Sequence, residues 1–154
     1  MKGRDNMTTI TVTEEVSIIT FANIPYDSES SFICSVFSAA ARENVVIDMI
    51  SKAPVSADST SIGFTFKDSD MPKILKVSNE VKPAKPPMIN SGNVKFLIKS
   101  AEMVEGVGFA ENVFKALTAA KANPILITTA LDEISVVVRE SDSSVFETEL
   151  RKIF

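Results

Sequence analysis

Two stretches of this chain follow one plan. Shifted by 77 residues, Phe37 falls on Phe114, Ala39 on Ala116 and Ile50 on Ile127. Beyond the next hairpin the shift is 72, so that Ile62, Phe64 and Phe66 fall on Ile134, Val136 and Val138, and Asp70 on Asp142. A period of this length is one supersecondary unit written twice, with five residues fewer in the second hairpin. The chain therefore has to fold as two copies of a small unit rather than around one large core.

The second copy shows the unit best. In the helix after Gly106–Phe109, Ala110, Val113, Phe114 and Leu117 recur at i, i+3, i+4 and i+7 and form one apolar stripe. Pro124 cannot donate a ladder bond and opens the strand Ile125–Thr129. A turn around Leu131–Glu133 leads to Ile134–Val138, β-branched almost throughout, as suits a strand under a helix. The strand Val94–Lys99 precedes this stretch, and a helix capped by Ser141 or Asp142 follows, with Val145, Phe146, Leu150 and Ile153 toward the core.

The first copy repeats the order. Val16–Ile24 is a strand with Ser17, Ile19 and Phe21 on one face. Ser28, Ser30 and Ser31 are suitable caps for a helix running to about Glu43, with Ile33, Val36, Phe37 and Ala40 as its stripe. Within it Cys34 reads as a small core residue, because no histidine exists to activate its thiol. Strand Val45–Ile50, the polar hairpin Pro54–Ser59 and the return strand Ile62–Phe66 follow. Ser69 or Asp70 caps a helix buried through Met71, Ile74, Val77 and Val81. Lys82–Pro87 is a stiff connector into the edge strand Met88–Asn90, and Ser91–Gly92–Asn93 turns the chain.

Each copy thus reads β-α-β-β-α, the order of the ferredoxin-like split βαβ fold, and needs one more strand to close. The first finds it near Pro86–Asn90. The second ends with its helix, and Thr8–Thr13 is a strand left over at the other end, separated from the next strand by Glu14–Glu15. The expectation is an α+β protein of two ferredoxin-like βαββαβ domains. One spans residues 16–91, the other joins 7–15 to 92–154, and 1–6 form a loose terminus.

Composition excludes several function classes. There is no histidine and one cysteine, which removes His-dependent triads, Cys/His zinc sites and disulfide frameworks. A net charge of −4 argues against a nucleic-acid surface. No apolar run has the length of a signal peptide core or of a membrane span, so a cytoplasmic protein is expected, without metal or cofactor. No carboxylate, lysine or thiol pair has a spacing that speaks for catalysis.

Met103, Gly108, Phe114, Ala116, Leu117, Asn123, Ile127, Thr129, Ile134, Ser135 and Val136 fall without a gap on a recognisable pattern. Asn44, Val45, Asp48, Met49 and Ile50, continued by Thr60, Phe64, Thr65, Ser69 and Asp70, fall on a second one. Together they resemble the paired ACT domains that form the regulatory C-terminal part of aspartate kinases, over nearly the whole chain. In that family, too, a strand preceding the first unit completes the second.

The resemblance implies a module that binds an amino-acid effector, lysine or threonine, and forms a homodimer through its ACT sheets. It also implies a catalytic subunit as a separate partner, since the lysine- and glycine-rich phosphate-binding sequence of a kinase domain is not among these 154 residues. Loops before helices would hold the effector carboxylate on backbone N–H groups at the positive end of the dipole. Those loops are Tyr26–Ser31, with Asp27, Ser30 and Ser31, and Gly106–Phe109, with Gly108 and Phe109. The segments after the helices would hold the ammonium through Asn44, Asp48 and Met49, and through Asn123, Ile125, Leu126, Thr128 and Thr129. By spacing alone Asp48 is an outward strand residue in water or a carboxylate placed to meet an amine; with the resemblance the second reading leads.

Some positions depart from the family. The Asp-x-Pro-Gly loop is replaced by Tyr26–Ser31, two residues longer and without glycine, and Val46 replaces an asparagine. Ala130 and Leu131 stand where a hydroxyl and a carboxylate are usual. These changes define the alternative, an ACT assembly or dimerisation module that has lost its ligand.

Overall fold

The computed structural model describes residues 7 to 154; the expected loose end, 1–6, lies outside the described residues. The elements are β1 (Thr9–Pro25), α1 (Glu29–Arg42), β2 (Ile50–Pro54), β3 (Ser59–Lys67), α2 (Met71–Val81) and β4 (Met88–Lys99). Then come α3 (Glu102–Glu105), α4 (Phe109–Ala120), β5 (Leu126–Thr129), β6 (Glu133–Arg139) and α5 (Glu140–Ile153). Two compact units result: Glu15–Gly92, and Asn93–Phe154 together with the segment ending at Glu14. The architecture is α+β. Strand order is β2-β3-β1-β4 in the first unit and β1-β4-β6-β5 in the second. The pairs β1–β3, β2–β3, β4–β6 and β5–β6 are antiparallel.

In the first unit, alternation along β1 and β3 builds the core. Ile19 lies opposite Phe64 and Phe21 opposite Ile62. Val36, Ala39 and Ala40 of α1 and Ile74 and Val77 of α2 cover that face. The two helices are tied at their surface by Lys76 to Glu43 (2.5 Å) and by Arg42 to Glu80. Because the buried phase of α1 is set by Val36, Ala39 and Ala40, Cys34 lies off the stripe and is exposed. It is not the core residue its size suggested.

Three strand assignments change. Val45–Met49 is not strand: Thr65 N–H donates to Met49 O at 3.0 Å, but Met49 N–H donates to the Thr65 hydroxyl at 2.9 Å, so a side chain interrupts the ladder and β2 begins at Ile50. The Glu14–Glu15 break does not occur either, and β1 runs through it with Glu15 at φ 57°. Nor does the chain turn at Ser91–Gly92–Asn93. There β4 is continuous with Gly92 at φ 69°, and the Asp68 carboxylate accepts the Gly92 N–H at 3.2 Å and the Ser17 hydroxyl at 2.5 Å.

In the second unit Val94, Phe96 and Ile98 of β4 and Ile134, Val136 and Val138 of β6 face α4 and α5, with Ile10 and Val12 of β1 packed against them. Phe96 and Phe146 meet edge to face at 4.8 Å. The stripe of α4 is Phe109, Val113, Ala116 and Leu117, so Ala110 and Phe114 lie outside, Phe114 46% exposed. Val113 and Phe114 are adjacent apolar residues, and either phase satisfies the spacing; Phe109, whose ring packs on Phe154 at 4.9 Å, selects the observed one. Likewise α5 starts at Glu140 and buries Phe146 and Leu150, leaving Val145 and Ile153 exposed.

The single-turn α3 was not foreseen. Gly106 N–H closes it on Glu102 O at 2.8 Å, and a Cβ at Gly106 would stand 2.5 Å from that oxygen. Gly106→Ala is therefore expected to open the turn at a cost of about 1–3 kcal/mol, read as a lower urea midpoint. An unchanged midpoint would show that the turn relaxes freely.

Among the described residues no helix is long and apolar enough to cross a membrane, and no group of three or more His, Cys, Asp or Glu side chains could hold a metal ion.

Candidate functional site

β1 ends irregularly. Its register with β3 shifts between Phe21 and Ile24, where Asn23 takes φ 56°, a bulge that bends the strand before the loop. Tyr26 N–H then donates to Asp58 O at 3.1 Å and Ser28 N–H to Pro25 O at 3.2 Å. Ser28 precedes α1 without a side-chain cap, and the Ser31 hydroxyl turns back to Ser28 O at 2.9 Å. Neither hydroxyl caps the first turn, whose N–H groups are left to the loop. Asp27, Ser30 and Ser31 are exposed there.

Lys52 of β2 reaches the same place, its Nζ 2.7 Å from Glu29 Oε1 and 5.8 Å from the centre of the Tyr26 ring. Nothing local in Ser51–Lys52–Ala53 marks this residue; the register of β2 on β3 brings it in.

The other expected contacts of this unit sit elsewhere. Asn44 is exposed at φ 55° directly after α1, a conformation asparagine tolerates, and Val45 N–H donates to Ala40 O at 3.0 Å. Asp48 is exposed and Met49 buried; Asp48 N–H donates to Thr65 O at 3.4 Å. Pro25 lies opposite Ser59, so the loop and Asp48 are separated along β3 by roughly 20 Å of strand. Within one chain they do not converge.

In the second unit Gly108, at φ 93°, precedes α4, and Phe109 is buried. Thr129 pairs with Ile134, next to the Lys99–Glu133 pair from which the chain enters the Gly106–Phe109 region, so Thr128 and Thr129 share that end of the sheet. Leu126 and Thr128 are half-buried opposite Val137 and Ser135. Ile125 N–H donates to Val137 O at 2.8 Å, and exposed Asn123 lies before it toward the opposite end. The first turn of α4 also carries Glu111. Its carboxyl is held below the usual carboxylate range, first by the Lys115 hydrogen bond and then by the Lys115 charge, 2.9 Å away. Both helix entries thus carry a carboxylate paired with a lysine, Glu111 with Lys115 in α4 and Glu29 with Lys52 in α1.

A cavity of about 220 Å³ opens beside the start of α1. Its walls are Phe21–Pro25 of β1, Ser28 and Phe32 of α1, and Lys82–Ala84 of the connector after α2. Phe21 and Phe32 meet edge to face at 5.5 Å. None of the effector residues expected from the sequence lines it.

No family model matches the chain. An aspartokinase of Geobacillus stearothermophilus is 23% identical over 141 residues, 92% of this chain and 34% of that protein. The chain spans about a third of the length of the curated relatives it matches. Among solved structures, the ligand-free regulatory subunit of aspartate kinase from Thermus thermophilus superposes with a TM-score of 0.84 at 18% identity, covering 94% of this chain and 96% of that one. Aspartokinase alpha and beta subunits give 0.79 at 22% identity, covering 94% and 96%. E. coli aspartokinase III with lysine and aspartate gives 0.67 at 15% identity, covering 94% of this chain and 32% of that one. In its fold, this chain is like the regulatory part of aspartate kinase.

Proposed function

We propose that this chain is a regulatory, amino-acid-binding module of the aspartate kinase type, built of two ferredoxin-like ACT domains. These are residues 16–91, and 7–15 with 92–154. It senses lysine or threonine in the cytoplasm, has no catalytic activity of its own, and shifts the activity of a separate catalytic subunit. The observation that carries this is the likeness in fold, over nearly its full length, to regulatory subunits of aspartate kinase. Lysine is named because the similar E. coli aspartokinase III was solved with it.

The geometry supports a homodimer. β2 is the last strand in the order of the first unit, with Val46 and Ile50 exposed beside it. A two-fold pairing of such edges exchanges the ends of the two copies. The Tyr26–Ser31 loop of one copy then faces Asp48 of its partner, although within one chain they lie apart. The effector carboxylate takes the first-turn N–H groups of α1, and its ammonium takes Asp48. Regulation follows if the effector prefers one state of the catalytic partner.

The test is thermal unfolding against the common amino acids at millimolar concentration. Lysine or threonine at ~100 times its dissociation constant adds about 2.7 kcal/mol, a rise of several degrees, and Asp48→Ala removes it. Exposed Ala130 and Leu131, and the pairing of Lys52 with Glu29, favour a second reading, the ligand-free assembly module. A flat panel from a chain that still dimerises would select it. Phosphotransfer to aspartate by the isolated chain would overturn both.

A further inference from the structure

We propose that Glu29 and Tyr26 form an ammonium subsite of the effector site, that Lys52 fills it from within the chain, and that the site therefore takes a neutral amino acid of the threonine kind and refuses lysine. It rests on the proposed effector site at Tyr26–Ser31 and decides between its two effectors.

The cation seated there shows the chemistry of the place. Lys52 Nζ stands 2.7 Å from Glu29 Oε1 and 5.8 Å from the centre of the Tyr26 ring. A carboxylate and an aromatic face are the two partners that recognise an ammonium group. The Glu29 side chain is 15% exposed and that of Lys52 49%. The carboxylate is thus a fixed wall at the start of α1, kept ionised by the helix dipole, and the lysine reaches it from solvent on a flexible stem.

Local geometry does not produce this pair. In α4, Glu111 takes Lys115 one turn along the same helix, as that spacing always allows. Lys52 comes from β2, where it lies opposite Ile62, and only the pairing of β2 on β3 brings it to Glu29. At the equivalent place of the second copy, 77 residues on, stands the uncharged Thr129. An effector held by its carboxylate at the first turn of α1 lies beside Glu29, which belongs to that turn. Lysine sets a second ammonium against Lys52 there, with Glu29 already taken; threonine brings no second charge. Asp27, the other carboxylate of the loop, is exposed, where an ion pair is worth little. The competing explanation is that the pair simply closes the site to every amino acid.

Substitution separates the two. L-threonine, L-lysine and L-norleucine, which is lysine without its ε-ammonium, are titrated into the full chain by calorimetry. The parent binds threonine at least roughly tenfold more tightly than lysine. Lys52→Met gains roughly tenfold in lysine affinity and nothing for norleucine, and adding Glu29→Gln removes the gain. Lysine binding to the parent as tightly as threonine overturns the proposal. So does a gain in Lys52→Met that is absent, is shared by norleucine or survives Glu29→Gln. n-Butylammonium, followed by the NMR signals of the ring of Tyr26, the one tyrosine of the chain, reads the subsite without an effector. It shifts those signals in Lys52→Met and not in the parent. If threonine binds while butylammonium shifts neither protein, the effector reading stands and this proposal falls. If no amino acid binds either protein, the effector reading and the selectivity fall together, and a butylammonium shift confined to Lys52→Met shows that the failure lies with the effector and not with the subsite.

Discussion

Phe64→Ala is expected to destabilise the first unit by about 3–5 kcal/mol. Phe64 is fully buried in the middle strand of β2-β3-β1, opposite Ile19 on one side and Ile50 on the other, with its ring 5.4 Å from that of Phe37. Its neighbours belong to strands and a helix held by their own hydrogen bonds, so the space it leaves cannot collapse, and the lost contacts add to the lost transfer energy. Domains are stable by only about 5–15 kcal/mol, so this removes a large share. The chain has no tryptophan and one tyrosine, Tyr26, which lies in this unit and reports on it by fluorescence. In urea the tyrosine transition should move to clearly lower concentration. A midpoint that stays in place would mean that Phe64 is not the centre of this core.

The second large effect falls on a polar residue. Asp68→Ala is expected to cost about 2–4 kcal/mol, because hydrogen bonds to a charged group are worth roughly 1.5–3 kcal/mol and the Ser17 hydroxyl would be left buried without its acceptor. The Asp68 carboxylate follows β3 and accepts from Ser17 of β1 and Gly92 of β4, so three strands of one unit depend on it. Asp68→Asn keeps one acceptor oxygen but puts an NH₂ where the second stood, and should recover part of the loss. Urea unfolding of the two variants side by side checks this. Equal stability of Asp68→Ala and the parent would show that β4 holds its left-handed Gly92 without help.

What was legible follows a pattern. The start of α1 at Ser28 and the core faces through Ile19, Phe21, Phe64, Val77 and Phe146 were readable, because helix-entry residue types and alternation depend on residues a few positions apart, although no hydroxyl caps α1 and α5 starts before Ser141. The loops at Tyr26–Ser31 and Gly106–Phe109 were readable as helix entries for the same reason. Misreadings arose where two local solutions fit equally well. The α4 stripe could run through Phe114 or Phe109, and Gly92 suits a turn as well as a left-handed residue inside a strand. At Cys34, size pointed inward, while the phase set by Val36 and Ala39 pointed outward.

The site was less legible than the fold. Lys52 reaches Glu29 and Tyr26 through strand register, and the cavity joins Phe21, Phe32 and Pro83 from segments far apart in sequence. The distance between Asp48 and the Tyr26–Ser31 loop is likewise a matter of which end of β3 each residue meets.

The repeat, the order of helices and strands within each copy, and most of the residues that face a sheet were determined by the sequence itself, the repeat by self-similarity at 72 to 77 residues and the rest by periods shorter than one element. Only the tertiary structure decided that β1 and β4 run unbroken, that β2 waits until Ile50, and that Lys82 stands beside an apolar cavity. Those outcomes rest on hydrogen bonds and contacts between distant segments, such as Asp68 with Gly92 and Thr65 with Met49, which no local pattern encodes.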